Sequence, residues 1–190
     1  MEPDNFVLWR SNAHLPEKDV DQVLQQVISA NMHGCNVGEG NVFTTFFMND
    51  IHSRPEIIFL DFYKEILGQV YSDLCFPGGN FSFDYWCQVY DGEHSVHEHH
   101  APNIYLSFVH FVRPLGEYFY FCRPDGKKAY PKQDEGDIIV FPSWATHGID
   151  ASYGSNRVTI AGNIIVQSVA NYNTTKVRND LYITEKYGKD

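Results

Sequence analysis

Two apolar strands, the first ending in a tight turn, are encoded by Gly136-Asp-Ile-Ile-Val-Phe-Pro-Ser-Trp-Ala-Thr-His147 and Asn156-Arg-Val-Thr-Ile-Ala-Gly-Asn163. In a strand, residues two apart lie on the same face. Arg157 and Thr159 therefore share one face, which Ala161 and Asn163 continue, while the other face is made of Val158, Ile160 and Ile164. The second strand thus carries a charged residue within a core-like apolar pattern.

Upstream of these strands, histidines are concentrated in one short segment. Five of the nine lie between residues 94 and 110, most densely in Asp91-Gly-Glu-His-Ser-Val-His-Glu-His-His-Ala101. In a strand, His97 and His99 point at one centre, and His147 can join them from a second strand. Imidazole is a good ligand for iron, zinc, copper and nickel. The spacing predicts a mononuclear metal site, with a solvated polar loop as the alternative.

One ligand of this site has two candidates, His99 and Glu98. Non-haem Fe(II) oxygenases usually bind the metal with two histidines and one carboxylate. The carboxylate is needed two residues after His97, where this chain has His99. Glu98 reaches that face only if a bulge rotates the strand. We favour three histidines because a regular strand then suffices. His110, inside the apolar Phe108-Val-His-Phe111, is expected to be a core residue.

Arg157 requires a partner, because a charge on a core-like strand is costly unless it is paired. A guanidinium binds a carboxylate through two parallel hydrogen bonds, and the Thr159 hydroxyl can add a third. The alternative is a pair with an internal acid such as Asp150. Arg157 lies ten residues after His147 on the next strand, so it can reach the same cavity. A metal together with a carboxylate clamp indicates a small dicarboxylate or keto acid.

The order of hydrophobic periods predicts the fold class. Helical spacing covers residues 17–31 and 55–73, and strand patterns cover 5–10, 43–47, 81–90, 104–112, 118–122, 137–141 and 157–166. Two helices followed by many strands indicate a mainly β, α+β protein with a sandwich or barrel core. We expect one domain, with helices and supporting strands in 1–80, the core in 81–167 and a polar tail in 168–190.

Composition narrows the class of protein. The 190 residues are 43% hydrophobic and 15% aromatic, which is typical of a globular chain. A net charge of −10 without a basic cluster disfavours nucleic acid as a partner. No apolar run is long enough to span a bilayer, so we expect no membrane insertion. Four scattered cysteines without a Cys-x-x-Cys pair, and no apparent export signal, favour the cytoplasm.

The motifs His97-x-His99, Leu106-Ser107, Gly136 to His147 and Arg157 to Asn163 together resemble the 2-oxoglutarate- and Fe(II)-dependent oxygenases of the prolyl-hydroxylase-like superfamily, across residues 81–167. The resemblance implies a double-stranded β-helix, a jelly-roll or cupin-like barrel, with N-terminal buttressing helices. It implies Fe(II) on His97, His99 and His147. It also implies that Arg157, assisted by Thr159, binds the distal carboxylate of 2-oxoglutarate. Most members carry Asp or Glu where this chain has His99.

The resemblance further implies O₂ and a small-molecule or peptidyl substrate as partners, and hydroxylation as the reaction. We assign no catalytic side chain and leave open whether the chain forms a homodimer. The apolar lining is expected among Phe81, Phe83, Tyr85, Tyr105, Phe141 and Trp144.

Two other functions fit parts of the pattern. A cupin dioxygenase or isomerase uses three histidines on the same type of barrel without 2-oxoglutarate. However, the glutamate of the first cupin motif is absent after His99, Trp144 replaces a glycine of the second, and Arg157 has no cupin role. A non-catalytic metal-binding module is the third class.

Overall fold

Antiparallel strands and two helices build the part of the chain that the structure describes. The computed structural model describes residues 6–31, 40–48, 50–75, 80–94, 97–99, 106–150, 156–167 and 181–182. The helices are α1 (Glu17–Asn31) and α2 (Leu60–Asp73). The strands are β1 (Trp9–Asn12), β2 (Gly40–Thr44), β3 (Asn80–His94), β4 (His97–His99), β5 (Leu106–Arg113), β6 (Phe119–Cys122), β7 (Lys128–Ala129), β8 (Asp137–Pro142), β9 (His147–Ile149), β10 (Arg157–Gln167) and β11 (Leu181–Tyr182).

The strands form two sheets, and the chain winds between them. The large sheet has the order β1-β8-β5-β10-β3-β11, with β2 also paired to β3, and the small sheet has the order β4-β9-β6-β7. From β3 to β10 the chain passes from the large sheet to the small one and back three times. This winding is a double-stranded β-helix, so the predicted fold class is confirmed.

The longest pairing in the large sheet separates two hydrophobic cores. β3 and β10 pair in register from Arg157 opposite Tyr90 to Gln167 opposite Asn80. One face of the pair packs on the helices and forms the helix-side core, which includes Val20, Val23, Leu24, Val27, Tyr63, Leu67, Val70, Phe83, Tyr85, Cys87, Val158, Ile160 and Ile164. The other face of the large sheet looks towards the small sheet. There the inter-sheet core contains Phe6, Val109, Phe111, Phe119, Phe121, Ala129, Ile139, Phe141 and Ala145.

Most predicted elements are confirmed, with shifts at the ends. The first helix has the predicted bounds. The second begins at Leu60, because Pro55 to Phe59 form a 3-10 helix that the helical spacing did not distinguish. The first two strands lie at 9–12 and 40–44 rather than 5–10 and 43–47. β7 and β11 are each two residues long, too short to show a period. No helix among the described residues is long and apolar enough to cross a membrane.

His110 is a core residue, as predicted. Its ring is fully buried between the sheet and α2. The Tyr63 hydroxyl lies 2.8 Å from Nδ1, and Nε2 lies 3.0 Å from the Ala13 carbonyl oxygen. A neutral ring satisfies both contacts if Nε2–H donates to Ala13 and Nδ1 accepts from Tyr63. Burial lowers the pKa of His110 to about 4, against the hydrogen bond to Ala13, which raises it.

This burial predicts a loss of stability in acid. The unfolded chain binds a proton on His110 near pH 6.5 and the folded chain near pH 4, so the unfolded state gains protons first as the pH falls. The free energy of unfolding should therefore fall by about 3 kcal/mol between pH 7 and pH 4 because of this residue. In His110→Gln, the free energy of unfolding measured by urea denaturation across this pH range should lack this fall. The matched variant at an exposed histidine, His52→Gln, should keep it. Parallel pH profiles for wild type and His110→Gln would contradict the assignment.

Candidate metal and anion site

His147 lies at the start of β9, immediately after the turn that closes β8. The turn is held by the Ala145 N–H donating to the Pro142 carbonyl at 2.9 Å. The His147 ring is 7% exposed and lies against the rings of Phe141 and Phe119, at centroid distances of 4.9 and 5.5 Å. Its Nδ1 lies 2.9 Å from the Ala145 carbonyl oxygen, which only a protonated Nδ1 can contact favourably. This tautomer makes Nε2 the basic nitrogen, as in most metal-bound histidines.

The backbone of β4 runs beside that of β9. His99 is directly opposite His147, Glu98 opposite Gly148 and His97 opposite Ile149, without a register shift. Directly opposed residues of an antiparallel pair belong to the same face of the sheet. The positions 97, 99 and 147 therefore share one face by register, and position 98 belongs to the other.

The side chains of residues 97–99 lie outside what the structure describes, so the metal assignment stays a prediction. Among the side chains that are described, no three His, Cys, Asp or Glu groups are close enough to hold a metal ion. Of the three predicted ligands, the structure gives the side-chain geometry of His147.

Arg157 lies at the start of β10, on the face that looks towards the small sheet. It is 4% exposed, although nothing ionic contacts it among the described residues. Its guanidinium carbon lies 3.7 Å from the centre of the Tyr90 ring and 4.7 Å from that of Tyr118. The Nε and Nη2 atoms are buried and have no hydrogen-bond partner in the described part of the chain. Burial lowers the pKa of Arg157, but an arginine remains charged in a protein.

The cation–π contacts with the two rings do not compensate for the free-energy cost of burying Arg157. Each cation–π contact contributes about 0.5–2 kcal/mol. Removing an unpaired charge from water costs several kcal/mol, in addition to the cost of the two unmade hydrogen bonds. The two ring contacts give Nε and Nη2 no hydrogen-bond partner, so these N–H groups are left for a ligand. An anion bound at Nε and Nη2 would supply both the missing charge and the missing hydrogen bonds.

The predicted alternative pair with Asp150 is wrong. The Asp150 carboxylate accepts hydrogen bonds from Lys128 Nζ and from the Tyr130 hydroxyl, both at 2.5 Å. Both partners lie on the outer side of the small sheet's β6–β7 region, so Asp150 is turned away from the space between the sheets.

Thr159 is next to Arg157 on the same face and is also buried. Its hydroxyl lies 3.5 Å from Gln88 Oε1, and the Tyr90 hydroxyl donates to the same oxygen at 3.2 Å. Sequence reasoning did not identify Gln88, Tyr90 or Tyr118. The alternation of β3 shows that Gln88 and Tyr90 share one face. The sequence pattern does not show which strand pairs with them, so their proximity to Arg157 and Thr159 could not be predicted.

The predicted apolar lining is partly wrong. Phe81, Phe83 and Tyr85 belong to the helix-side core, because alternation along β3 points them away from the small sheet. Phe141 lies in the inter-sheet core beside His147, as expected. Trp144 is 68% exposed on the β8–β9 turn, and Tyr105 lies outside the described residues.

Comparison of the sequence with known proteins finds neither a matching family model nor a similar curated protein.

Comparison of the structure does find similar proteins. A prolyl 4-hydroxylase from Pseudomonas putida superposes with a TM-score of 0.57 at 14% identity, covering 82% of this chain and 90% of that one. A prolyl hydroxylase from Trichoplax adhaerens, in complex with a hypoxia-inducible-factor peptide, gives 0.56 at 15% identity, covering 83% and 82%. The epimerase SnoN, in complex with Fe³⁺, α-ketoglutarate and a nogalamycin compound, gives 0.58 at 11% identity, covering 86% and 80%. The fold implied by the resemblance is therefore confirmed.

Because Nε and Nη2 of Arg157 have no partner within the described ranges, we predict that this residue lowers the stability of the ligand-free protein. Arg157→Leu should raise the free energy of unfolding by about 1 kcal/mol, because buried charges are often replaced by apolar side chains at a gain. The matched control is Arg54, which is equally buried but donates to Asp84 at 2.8 Å and to the Met48 carbonyl at 3.1 Å. Arg54→Leu should cost about 3–5 kcal/mol. Urea denaturation measures both, and a large loss with Arg157→Leu would show that the guanidinium is already satisfied.

Proposed function

We propose that this protein is a non-haem Fe(II)- and 2-oxoglutarate-dependent oxygenase that hydroxylates a small-molecule or peptidyl substrate. The observation that carries the proposal is the buried guanidinium of Arg157, whose Nε and Nη2 have no partner among the described residues. These two N–H groups point in parallel from one edge of the guanidinium, which is the geometry that binds a carboxylate through both oxygens. The distal carboxylate of 2-oxoglutarate is such a group.

The surroundings of Arg157 support a carboxylate bound in its plane. The rings of Tyr90 and Tyr118 both pack on the guanidinium and restrict its movement before a ligand arrives. Pre-orientation reduces the entropy that binding would otherwise lose. Thr159 is on the same face of β10 as Arg157, and its hydroxyl could supply a further hydrogen bond to the acid.

His97, His99 and His147 would hold the metal. Support comes from the His147 tautomer, which leaves Nε2 as the basic nitrogen, and from the register that pairs position 99 with position 147. The unbroken register of β4 favours His99 over Glu98 as the third ligand. When bound, Fe(II) with 2-oxoglutarate and O₂ supplies the oxidising power, and the co-substrate leaves as succinate and CO₂. Phe119 and Phe141 beside His147 would keep water from the reacting centre.

Two of the similar structures support the proposed class of protein. The SnoN complex contains iron and α-ketoglutarate, and the Trichoplax prolyl hydroxylase holds a peptide. At 11% and 15% identity they support the class of reaction and not a particular substrate.

A three-histidine cupin enzyme and a non-catalytic metal-binding module are the competing functions. Both leave Arg157, which is buried and unpaired in the described part of the chain, without a role, and a stable barrel has no need of such an arginine. Arg157 therefore favours the oxygenase.

Replacing Arg157 should separate binding of the co-substrate from binding of the metal. Arg157→Ala should weaken the binding of 2-oxoglutarate by about 2–5 kcal/mol, because a buried charge-assisted pair is lost. The affinity for Mn(II) should remain nearly unchanged. Arg157→Lys should recover part of the loss, because lysine cannot form the two parallel bonds. Calorimetric titration of the Mn(II) form measures both. Arg113→Ala, which removes a half-exposed arginine already paired with Asp21 at 2.8 Å, is the matched control. Equal 2-oxoglutarate affinity in Arg157→Ala and wild type would favour the cupin.

Metal binding should depend on all three histidines and not on Glu98. His147→Ala should abolish binding of Fe(II), because two ligands from one strand cannot hold the ion tightly. His99→Ala should have the same effect, while Glu98→Ala should bind as wild type does. Iron content after anaerobic reconstitution measures this for each variant. Loss of iron in Glu98→Ala with retention in His99→Ala would replace the three-histidine site by two histidines and a carboxylate.

A further inference from the structure

A second polar group lies on the inner face of the large sheet, six residues along β10 from Arg157. Asn163 is opposite Asp84 of β3 on one side and opposite Ser107 of β5 on the other. The neighbouring row of the same face is largely apolar, with Trp86, Ala161, Val109 and Ile139. Six residues of strand span about 20 Å, so a 2-oxoglutarate held by Arg157 is too short to reach Asn163.

The amide of Asn163 is oriented by its neighbour. Ser107 Oγ donates to Asn163 Oδ1 at 3.0 Å, which leaves the Nδ2 hydrogens as donors. Asn163 is partly exposed in the centre of a sheet whose opposite face, at Ile164 and Phe83, is fully buried. Its exposed part therefore faces the space between the sheets. There its N–H donors, which have no hydrogen-bond partner in the described part of the chain, face any molecule that enters.

Asp84 supplies the complementary acceptor beside Asn163. One of its oxygens accepts from Arg54 Nη1 at 2.8 Å, and its side chain remains 33% exposed. Arg54 is buried and its other donors bind the carbonyl oxygens of Met48 and Tyr85, so its orientation is fixed. The Arg54–Asp84 pair has no net charge, and its second carboxylate oxygen is available to accept a hydrogen bond.

An aromatic wall borders this donor–acceptor pair. Trp86 lies on the same face of β3 as Asp84 and is buried under Phe46, with the rings edge to face at 4.8 Å. Phe46 and Phe47 are themselves exposed and pack edge to face at 4.9 Å. The rings provide an apolar surface next to the two polar groups.

The polar pair is at the level of the proposed metal. Ser107 is opposite Phe141 in the sheet, and the Phe141 ring contacts the His147 ring at a centroid distance of 4.9 Å. Asn163 is two strands, or about 10 Å, from Phe141 in this row and about 20 Å along β10 from Arg157, so a molecule held there is nearer to Phe141 and its neighbour His147 than to Arg157. That is the place of the substrate to be oxidised.

We infer that Asn163 and Asp84 bind the primary substrate through an uncharged amide, with Asn163 Nδ2 donating to its carbonyl and Asp84 accepting from its N–H. The inference rests on the proposed function and narrows the substrate to a peptide or carboxamide with an apolar side chain. The Arg54–Asp84 pair has no net charge and Asn163 is neutral, so neither offers a full opposite charge to a carboxylate or an ammonium group that leaves water. A zwitterionic free amino acid therefore fits this pair poorly.

Formation of succinate from 2-oxoglutarate by the Fe(II)-loaded protein tests the inference. The probes are N-acetyl amino-acid N-methylamides and the free amino acids with the same side chains. At least one capped amide should stimulate succinate formation with a kcat/KM about tenfold above that of its free amino acid. Asn163→Asp keeps the acceptor for Ser107 but replaces the donor, so kcat/KM for that amide should fall at least about tenfold. Ser107→Ala, which releases the amide of Asn163, should cause a smaller fall.

Calorimetric titration of 2-oxoglutarate on the same proteins keeps the two conclusions apart. If the protein binds 2-oxoglutarate but free and capped amino acids stimulate succinate formation equally, the amide inference is wrong and the proposed oxygenase stands. The same conclusion follows if 2-oxoglutarate binds and no capped amide stimulates succinate formation. An unchanged kcat/KM in both Asn163→Asp and Ser107→Ala overturns it as well. Absence of 2-oxoglutarate binding in the wild type overturns the proposed function itself.

Discussion

The antiparallel pairing of β3 with β10 is the constraint on which the rest of this molecule depends. Because side chains alternate along both strands, the pairing commits every second residue to the helices and the others to the space between the sheets. A shift by one residue would place Arg157 in the helix-side core and Val158 in the site. The large apolar residues that face the helices make such a shift costly. The register of a hydrophobic core thus positions polar groups that contribute nothing to that core.

This division lets one sheet serve two purposes. The helix-side core stabilises the sheet through fully buried residues such as Phe83, Tyr63 and Leu67. The opposite face can then hold Arg157, whose Nε and Nη2 have no partner among the residues that the structure describes, and Asn163, whose amide oxygen accepts from Ser107. Proteins tolerate such local costs where the remainder of the fold is well packed, and the costs concentrate at functional sites. The polar groups lie at two levels along β10, so one strand can organise two ligands.

Much of this architecture could be predicted from the chain, for identifiable reasons. Alternation along 157–163 gave the shared face of Arg157 and Thr159, and the apolar surroundings of His110 gave its place in the core. Periodicity gives a face but not the strand opposite it, which is why Tyr90 and Tyr118 were missed as the stacking partners of Arg157. Periodicity also does not tell which face of a strand meets the helices, and Phe83 and Tyr85 were therefore expected in the lining although they face the helices. The resemblance to oxygenases supplied the winding between two sheets, which composition and period leave undetermined.

The burial of Arg157 against two tyrosine rings bears on how the site behaves in solutions of different ionic strength. Mobile ions weaken attractions between exposed charges over distances near 8 Å at physiological salt, because they gather around both partners. They cannot gather around a guanidinium that is 4% exposed and packed against two aromatic rings. An acid held there is shielded from that competition once it is inside. On a chain with a net charge of −10, added salt would instead ease the approach of the acid, so the surface and the cavity respond to salt differently.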